Sequence, residues 1–207
     1  MQARLKFCSR ALRARAKRLY LRARDYGLRG LDLRHPGIAV RLEGARDLRA
    51  VVTPLNKDDV ALVYWTAASW ALAIAAAKED MALVAQLPAP GALMQRALAL
   101  DEGFDEGALH EFFISWEPAQ SATEEAYRRA KGHFERALVL SKGKKLGPFV
   151  AYAEAVAVPR QDRAEFRRLL EHVLATEVDA DKSNRLANVL AQRRARLLLA
   201  RADDLFS

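Results

Sequence analysis

The chain has 207 residues, of which 51% are hydrophobic, so it is long and apolar enough to bury a sizeable core in one compact domain or two small ones. This composition excludes an intrinsically disordered protein, and the single cysteine, Cys8, excludes an internal disulfide. The formal charge of +8 is concentrated at one end: residues 1–34 carry eleven Lys and Arg against two acidic residues, whereas the other 173 residues sum to −1. A basic surface is therefore expected only on the N-terminal segment.

The first predicted element is a helix over residues 3–26. Apolar residues recur there at spacings of three and four, which is the pattern of one helix face: Leu5, Cys8, Leu12, Ala16, Leu19, Ala23 and Tyr26. Gly27 and Gly30 are expected to end this helix, and a loop through Pro36 leads to a shorter helix at about 38–50.

The next element is the apolar stretch "VALVYWTAASWALAIAAA" at residues 60–77, with Asn56 as its predicted N-cap. Its length is at the lower limit for crossing a bilayer, but it is rich in Ala and is bracketed by "NKDD" and "KED". We expect a helix buried on all sides within a helical protein, with both Trp65 and Trp70 mostly covered.

The rest of the chain also reads as helices joined by short loops. Asp80 begins a helix that Pro88 and Pro90 interrupt, and Ser121 with Glu124 resembles a capping box. Asp162 with Glu165 is the predicted cap of the helix at 163–176. The remaining predicted helices cover residues 106–116, 122–140, 149–157, 163–176 and 184–205. Since no window alternates as a strand would, the sequence predicts an all-α fold with antiparallel neighbours.

A ten-residue pattern occurs more than once. "MQRALALDEG" at 94–103 resembles "FERALVLSKG" at 134–143, and a fainter copy, "LEHVLATEVD", follows at 170–179. Ala130, Phe134 and Ala137 have the A-x-x-x-F-x-x-A spacing of the second helix of a tetratricopeptide hairpin, in which small residues allow close helix packing. Two sets of residues hold the equivalent places in the other copies: Pro90, Met94 and Ala97, then Phe166, Leu170 and Val173. The pattern favours stacked antiparallel helical hairpins in a divergent tetratricopeptide-like α-α superhelix, within one domain over residues 1–207. Ordinary helix-bundle amphipathicity is the alternative.

Catalytic chemistry is not indicated. The four histidines, at positions 35, 110, 133 and 172, lack the spacing of a zinc site, and no nucleophile elbow or phosphate-binding loop is found. Acidic residues at 101–106 and the lysines of "SKGKKLG" have the pattern of solvated turns. We therefore expect no enzyme activity, no cofactor and no metal.

Four residues are candidates for binding a ligand or a partner: His110, Trp116, Tyr152 and Arg193. They are polar-tipped or charged groups on or beside apolar helix faces, where a cavity would use them to orient a ligand. The alternatives are a hydrogen-bonded core histidine beside a surface Glu111, and a structural ion pair of Arg193 with Glu154. Arg193 is expected within an apolar stripe of Leu186, Leu190, Leu197 and Ala200.

The N-terminal basic residues could bind nucleic acid or anionic lipid. No aromatic residues interleave them for base stacking, so a solvated helix face is favoured and nucleic acid is not an expected partner.

Several long segments resemble the TRAP transporter T-component family, often called TatT. They include "RAKRLYLRARDYGLRGL", "VYWTAASWALAIAAAKED", "MQRALALDEGFDEGALHEF", "HFERALVLSKGKKLGPFVAYAEAVAVPRQDRAEFRRLLEHVLA" and "NRLANVLAQRRARLLLARADDLF". The resemblance implies cryptic tetratricopeptide-like hairpins in a periplasmic lipoprotein that forms a homotrimer around a pore. It also implies binding to the solute-binding P component of a tripartite ATP-independent periplasmic (TRAP) transporter, and a hydrophobic or organic-acid ligand.

The chain departs from this family at its beginning. Members start with a lipoprotein signal and another helical segment, whereas "MQARLKFC" matches neither a signal peptide nor a lipobox. We expect an accessory scaffold of a TRAP transporter that lacks the family's first segment. The rival hypothesis is a cytosolic tetratricopeptide-like adaptor that binds peptides or acidic partners through its basic N-terminal helix.

Overall fold

The computed structural model describes the backbone of residues 2–206 and the side chains of residues 11–206. The packing predicted for Leu5 and Cys8 lies outside the described side chains. Residues 2–206 form helices, turns and loops without a strand, so the predicted all-α class is confirmed. The fold divides into two compact units, Met1–Glu102 and Gly103–Ser207. A single domain with a tetratricopeptide-like superhelix stays a prediction.

The first unit is dominated by two long helices. Its elements are α1 (Gln2–Arg34), α2 (Ile38–Gly44), α3 (Leu48–Val52), a 3-10 turn (Lys57–Asp59), α4 (Val60–Ala76), α5 (Met81–Val84) and α6 (Pro88–Leu100). Helix α1 is longer than predicted because it runs through both glycines that were expected to end it. The single predicted helix at 38–50 is two helices, and the second is capped by Asp47, whose side chain accepts a hydrogen bond from the amide of Arg49.

The two glycines of α1 are where α4 approaches it most closely. A Cβ on Gly27 would lie 2.0 Å from Thr66 Oγ1, and one on Gly30 would lie 3.1 Å from the side chain of Leu62. Nearer the beginning of α1, Lys17 forms an ion pair of 2.8 Å with Asp80, which follows the end of α4. Residues later in α1 therefore lie opposite residues earlier in α4, so the two helices are antiparallel. The glycines therefore permit helix packing rather than stopping a helix.

Helix α4 is buried on one side rather than on all sides. Trp70 is fully buried and its Nε1 donates a hydrogen bond to Gln86 Oε1 at 3.0 Å, as a buried indole requires. Trp65 was predicted to be covered, but it is 65% exposed. By length and composition alone, the stretch Lys57–Ala76 could cross a membrane, and 44% of its apolar window is buried.

The buried Asp59 joins the start of α4 to the end of α1. The predicted cap Asn56 is present: its side chain accepts from the amide of Asp58, while Asp59 Oδ2 accepts from the amide of Asn56 at 3.0 Å. Arg34 and His35 complete the set at 3.0 and 2.8 Å from the Asp59 carboxylate. Burial alone would raise the pKa of Asp59, but hydrogen bonds from Asn56, Arg34 and His35 hold that pKa below its ordinary value.

The second unit is a set of shorter helices around one core. Its elements are a 3-10 turn (Phe104–Gly107), α7 (Ala108–Gln120), α8 (Glu124–Ser141), α9 (Gly147–Tyr152) continued by a π-helical turn (Ala153–Ala157), α10 (Arg163–Ala175), a 3-10 turn (Val178–Ala180), α11 (Arg185–Leu199) and α12 (Ala202–Leu205). The N-cap of α8 is Thr123 rather than Ser121, whereas the predicted cap Asp162 of α10 is confirmed. Helix α7 continues past the expected stop, with Pro118 inside its last turn.

The repeated small and large positions are buried within the unit to which each belongs. All nine residues of the three copies are buried: Pro90, Met94, Ala97, Ala130, Phe134, Ala137, Phe166, Leu170 and Val173. The stripe predicted for the last helix is wrong, because Leu186, Leu190 and Leu197 are 74%, 53% and 60% exposed. Helix α11 instead packs through its small residues Ala191 and Ala195, which lets α10 approach closely.

Candidate functional site

Helix α7 places a histidine pair inside the second unit. It begins after Gly107, whose φ of +89° is in the left-handed region and whose absent Cβ would lie 3.1 Å from Leu140 Cβ. One turn later, His110 is only 7% exposed, and its Nδ1 lies 2.8 Å from Nδ1 of His133 on α8. The ring of Phe113 stacks on His133 with centroids 5.0 Å apart.

This geometry limits the charge of the pair. One Nδ1 must donate while the other accepts, so at least one imidazole is neutral. Burial, followed by the neighbouring His110, lowers the pKa of His133 to about 4 against an opposing effect of Glu117. His133 is therefore neutral at pH 7, and His110 resembles the hydrogen-bonded core histidine that the sequence left open as an alternative. Within the described residues, no group of three or more His, Cys, Asp or Glu is placed to hold a metal ion.

The other predicted site residues are in separate surroundings. Trp116 is partly exposed and stacks on Phe112, one turn earlier on α7, at 5.0 Å. Tyr152 is 9% exposed and stacks on Phe134 at 4.7 Å, so it belongs to the core. Burial raises the pKa of Tyr152, and Glu165 adds to this effect.

The predicted ion pair was assigned to the wrong arginine. Glu154 is paired with Arg194, which donates through Nε at 3.1 Å and through a second guanidinium nitrogen to the other carboxylate oxygen. Arg193 is exposed. The one-residue difference follows from the helix register, because the buried face of α11 runs through Ala191 and Ala195 and turns Arg194 toward Glu154.

A polar cluster that the sequence reading missed lies where α7 begins. The residues Asp105 and Glu106 both have left-handed φ values, 44° and 52°, which cost energy in residues with a side chain. Lys145 holds this turn: its Nζ donates to Asp105 Oδ2 at 2.7 Å and to the Asp105 carbonyl oxygen. On the other side, Asn184 Nδ2 donates to Glu106 Oε2 at 2.9 Å. The lysine side chain is only 11% exposed, so the expectation of solvated lysines in "SKGKKLG" was wrong at this position.

Glu111 is the third carboxylate of this cluster, and it is not the surface residue that was expected. It is partly buried against Gly147, where a Cβ would lie 2.0 Å from Glu111 Oε1. Burial raises the pKa of Glu111, the nearby Lys145 lowers it and Asp105 raises it. The loop that carries Lys145 is pinned by Asn188, which donates to the Lys144 carbonyl at 2.8 Å and accepts from the Leu146 amide at 3.0 Å.

We call this set the polar turn cluster: Asp105, Glu106, Glu111, Lys145 and Asn184. Its strained backbone and enclosed carboxylate are features that concentrate at functional sites, although structural networks also produce them. A signal was present in the sequence, since "FDEG" and "GKKLGP" place charges beside glycines. The pairing of these two distant loops could not be read from either one.

Comparison with known proteins gives two findings. The profile of a family described as TRAP transporter T-component matches residues 6–206. An uncharacterized protein of Treponema pallidum (strain Nichols) is 27% identical over 199 residues. That alignment covers 93% of this chain but 61% of the relative, so the chain spans less than two thirds of the relative's length.

Proposed function

Because the chain belongs to the TRAP transporter T-component family, we propose that it is a non-enzymatic scaffold that binds the solute-binding P component of such a transporter. The observation that carries the proposal is the extent of the family match, residues 6–206. Membership makes the chain an accessory component of a TRAP transporter, and such a component works in the periplasm or at a membrane.

The finer features of the family belong to the same proposal. The protein assembles as a homotrimer, is held at the membrane by a lipid anchor and accepts a hydrophobic or organic-acid ligand. What supports these features is the sequence resemblance, together with an all-α fold of buried small-and-large repeat positions that suits a scaffold.

The second unit offers accessible residues for the partner. Trp116 with Phe112 forms a partly exposed aromatic pair, and Arg193 projects from α11. Tryptophan and arginine are the residue types that most often dominate binding energy at protein interfaces. His110 and Tyr152 are buried, so we propose that they act by holding the packing of the helices in this unit.

Titration calorimetry of the purified P component into the full chain tests the proposal. We expect micromolar affinity, a free energy of about −8 kcal/mol, because complexes between transporter components are transient. Trp116→Ala should weaken binding by tenfold or more, whereas the exposed control Lys142→Ala should leave the affinity unchanged. The absence of detectable heat with the cognate P component would favour the cytosolic adaptor instead.

A further inference from the structure

Helix α1 carries an apolar stripe that the described residues of its own unit leave exposed. The stripe consists of Leu12, Leu19, Tyr26 and Leu33, which are 62%, 55%, 56% and 87% exposed. Their spacing of seven residues keeps them on one side of the helix over its whole described length. The residues that α1 buries, such as Leu28 and Leu31, lie on a different side.

Helix α4 has an apolar outer side as well. Trp65 is 65% exposed and Leu72 is 47% exposed, and Val60–Ala76 contains no charged residue. A helix buried in a core would cover such residues, whereas α4 leaves them open to solvent.

The two apolar sides form one surface. Because α1 and α4 are antiparallel and Gly27 contacts Thr66, Tyr26 lies within one helical turn of the level of Trp65, and Leu19 within one turn of the level of Leu72. Helical periodicity, counted from the Gly27–Thr66 and Gly30–Leu62 contacts, places these exposed residues of α1 and α4 on the same side of the helix pair. We call this surface the α1–α4 face: Leu12, Leu19, Tyr26, Leu33, Trp65 and Leu72.

One border of this face is positively charged. The exposed Arg15, Arg18, Arg22 and Arg29 follow the stripe along α1. The guanidinium carbons of Arg29 and Arg22 lie 4.3 and 5.6 Å from the centroid of the Tyr26 ring. Arg18, Arg22, Arg29 and Tyr26 also line a shallow groove with Asp25, whose carboxylate is paired with Arg24 at 2.7 Å.

We propose that the α1–α4 face lies on the surface of an anionic phospholipid bilayer. The arginines bind headgroup phosphates, while the leucines and the two aromatic rings enter the boundary with the acyl chains. An apolar strip with Trp and Tyr, bordered by basic groups on one side, is the composition of interfacial helices. This face carries few polar groups that could fix the register of a protein partner, so the charge complementarity favours lipid.

The proposal that the α1–α4 face binds lipid is independent of the proposal on the P component, because the residues proposed for that partner lie in the second unit. Failure of the calorimetric titration would therefore leave this inference standing, and failure of the vesicle experiment would leave the scaffold function standing.

Vesicle co-sedimentation of the full chain tests the inference. Vesicles of phosphatidylcholine alone are compared with vesicles that contain about one third phosphatidylglycerol, at low and at high salt. We expect binding at least tenfold stronger to the anionic vesicles, and this preference should fall with salt. Replacing Arg18, Arg22 and Arg29 by Gln should weaken anionic binding by about fivefold per residue, since each basic group near such a surface contributes on the order of a factor of five.

A second set of variants separates the apolar contribution. Leu19→Glu and Trp65→Glu change exposed residues of the face, so folding should be kept while vesicle binding is lost. The matched control is Leu190→Glu, which changes a leucine of α11 whose exposure of 53% is close to the 55% of Leu19, and it should bind as the wild type does. Equal binding to both vesicle types, or none to either, would overturn the inference. A concentration-dependent dimer or trimer that Leu19→Glu dissolves, without vesicle binding, would also overturn it and assign the face to a second copy of the chain.

Discussion

Glycine 27 is the residue on which the packing of the first unit most directly depends. Its position on α1 faces Thr66, and the Thr66 hydroxyl is held by donating to the Leu62 carbonyl at 2.6 Å. Gly27→Ala should therefore overpack the helix contact and lower the free energy of unfolding by about 1–3 kcal/mol. Denaturant unfolding followed by circular dichroism measures the change.

Glycine 132 supplies the matched control for this substitution. It lies within α8, where an added Cβ would meet nothing within 4 Å. Gly132→Ala should stabilise the protein by about 0.5–1 kcal/mol through helix propensity. If both substitutions were stabilising, the close approach of α1 and α4 at Gly27 would be contradicted.

The histidine pair predicts a pH dependence of stability. The folded-state pKa of His133 is lowered to about 4, below the 6.5 of an unperturbed histidine, so the unfolded state binds the proton more readily. The stability contribution of neutral His133 is complete above pH 6.5 and is lost as the pH falls toward 4, by at most about 3 kcal/mol. Unfolding curves at intervals between pH 7 and pH 4 should show His133→Gln losing less stability than the wild type. His172→Gln, which changes an exposed histidine, is the control. If stability fell with pH as steeply in His133→Gln as in the wild type, His133 would not be the source of the pH dependence.

At the scale of elements, the cap around Asp59 secures the entry to α4. Its carboxylate accepts from Arg34, His35 and the Asn56 amide while being 1% exposed, so removing it leaves buried donors without an acceptor. Asp59→Ala should lower the free energy of unfolding by about 3–5 kcal/mol. Asp47→Ala, which removes the exposed cap of α3, serves as the comparison and should cost about 1 kcal/mol. Equal losses in the two variants would show that Asp59 is an ordinary cap.

The beginnings of several helices could be predicted because side-chain caps are local. Asn56, Asp80 and Asp162 accept the backbone amide hydrogen bonds expected of them. Helix ends were predicted less well: Gly27 was interpreted as a stop because a single sequence does not show that Thr66 lies against it. The prediction of a buried leucine stripe on α11 was wrong for a similar reason. Close helix packing buries the alanines of α11 and leaves three of its leucines exposed, and a single sequence does not show which neighbour packs there.

In the candidate site, too, local features could be predicted from the sequence and contacts between distant segments could not. That His110 is a buried hydrogen-bonded histidine follows from its apolar neighbours, and the sequence allowed this interpretation. Its partner His133 and the polar turn cluster depend on contacts between distant segments, such as the one from Lys145 to Asp105. Pattern reading within one helix cannot reveal which loop lies opposite it.

At the scale of the whole molecule, the net charge and the two proposed binding surfaces are divided between different parts of the chain. The basic residues are concentrated on residues 1–34, while the remaining 173 residues are nearly neutral in sum. The α1–α4 face, which we propose lies on a bilayer, belongs to the first unit, and the residues proposed to bind the P component belong to the second. A component with this division could remain near a bilayer while its second unit binds a soluble partner.

Sedimentation velocity of the chain, alone and mixed with its cognate P component, tests the central claim most directly. We expect a trimer of the 23.1 kDa chain and, above micromolar concentrations, a faster boundary that contains both proteins. A solute-binding protein from an unrelated transporter should sediment separately under the same conditions. Two independent boundaries with the cognate P component, and a chain that sediments as a monomer, would contradict the account.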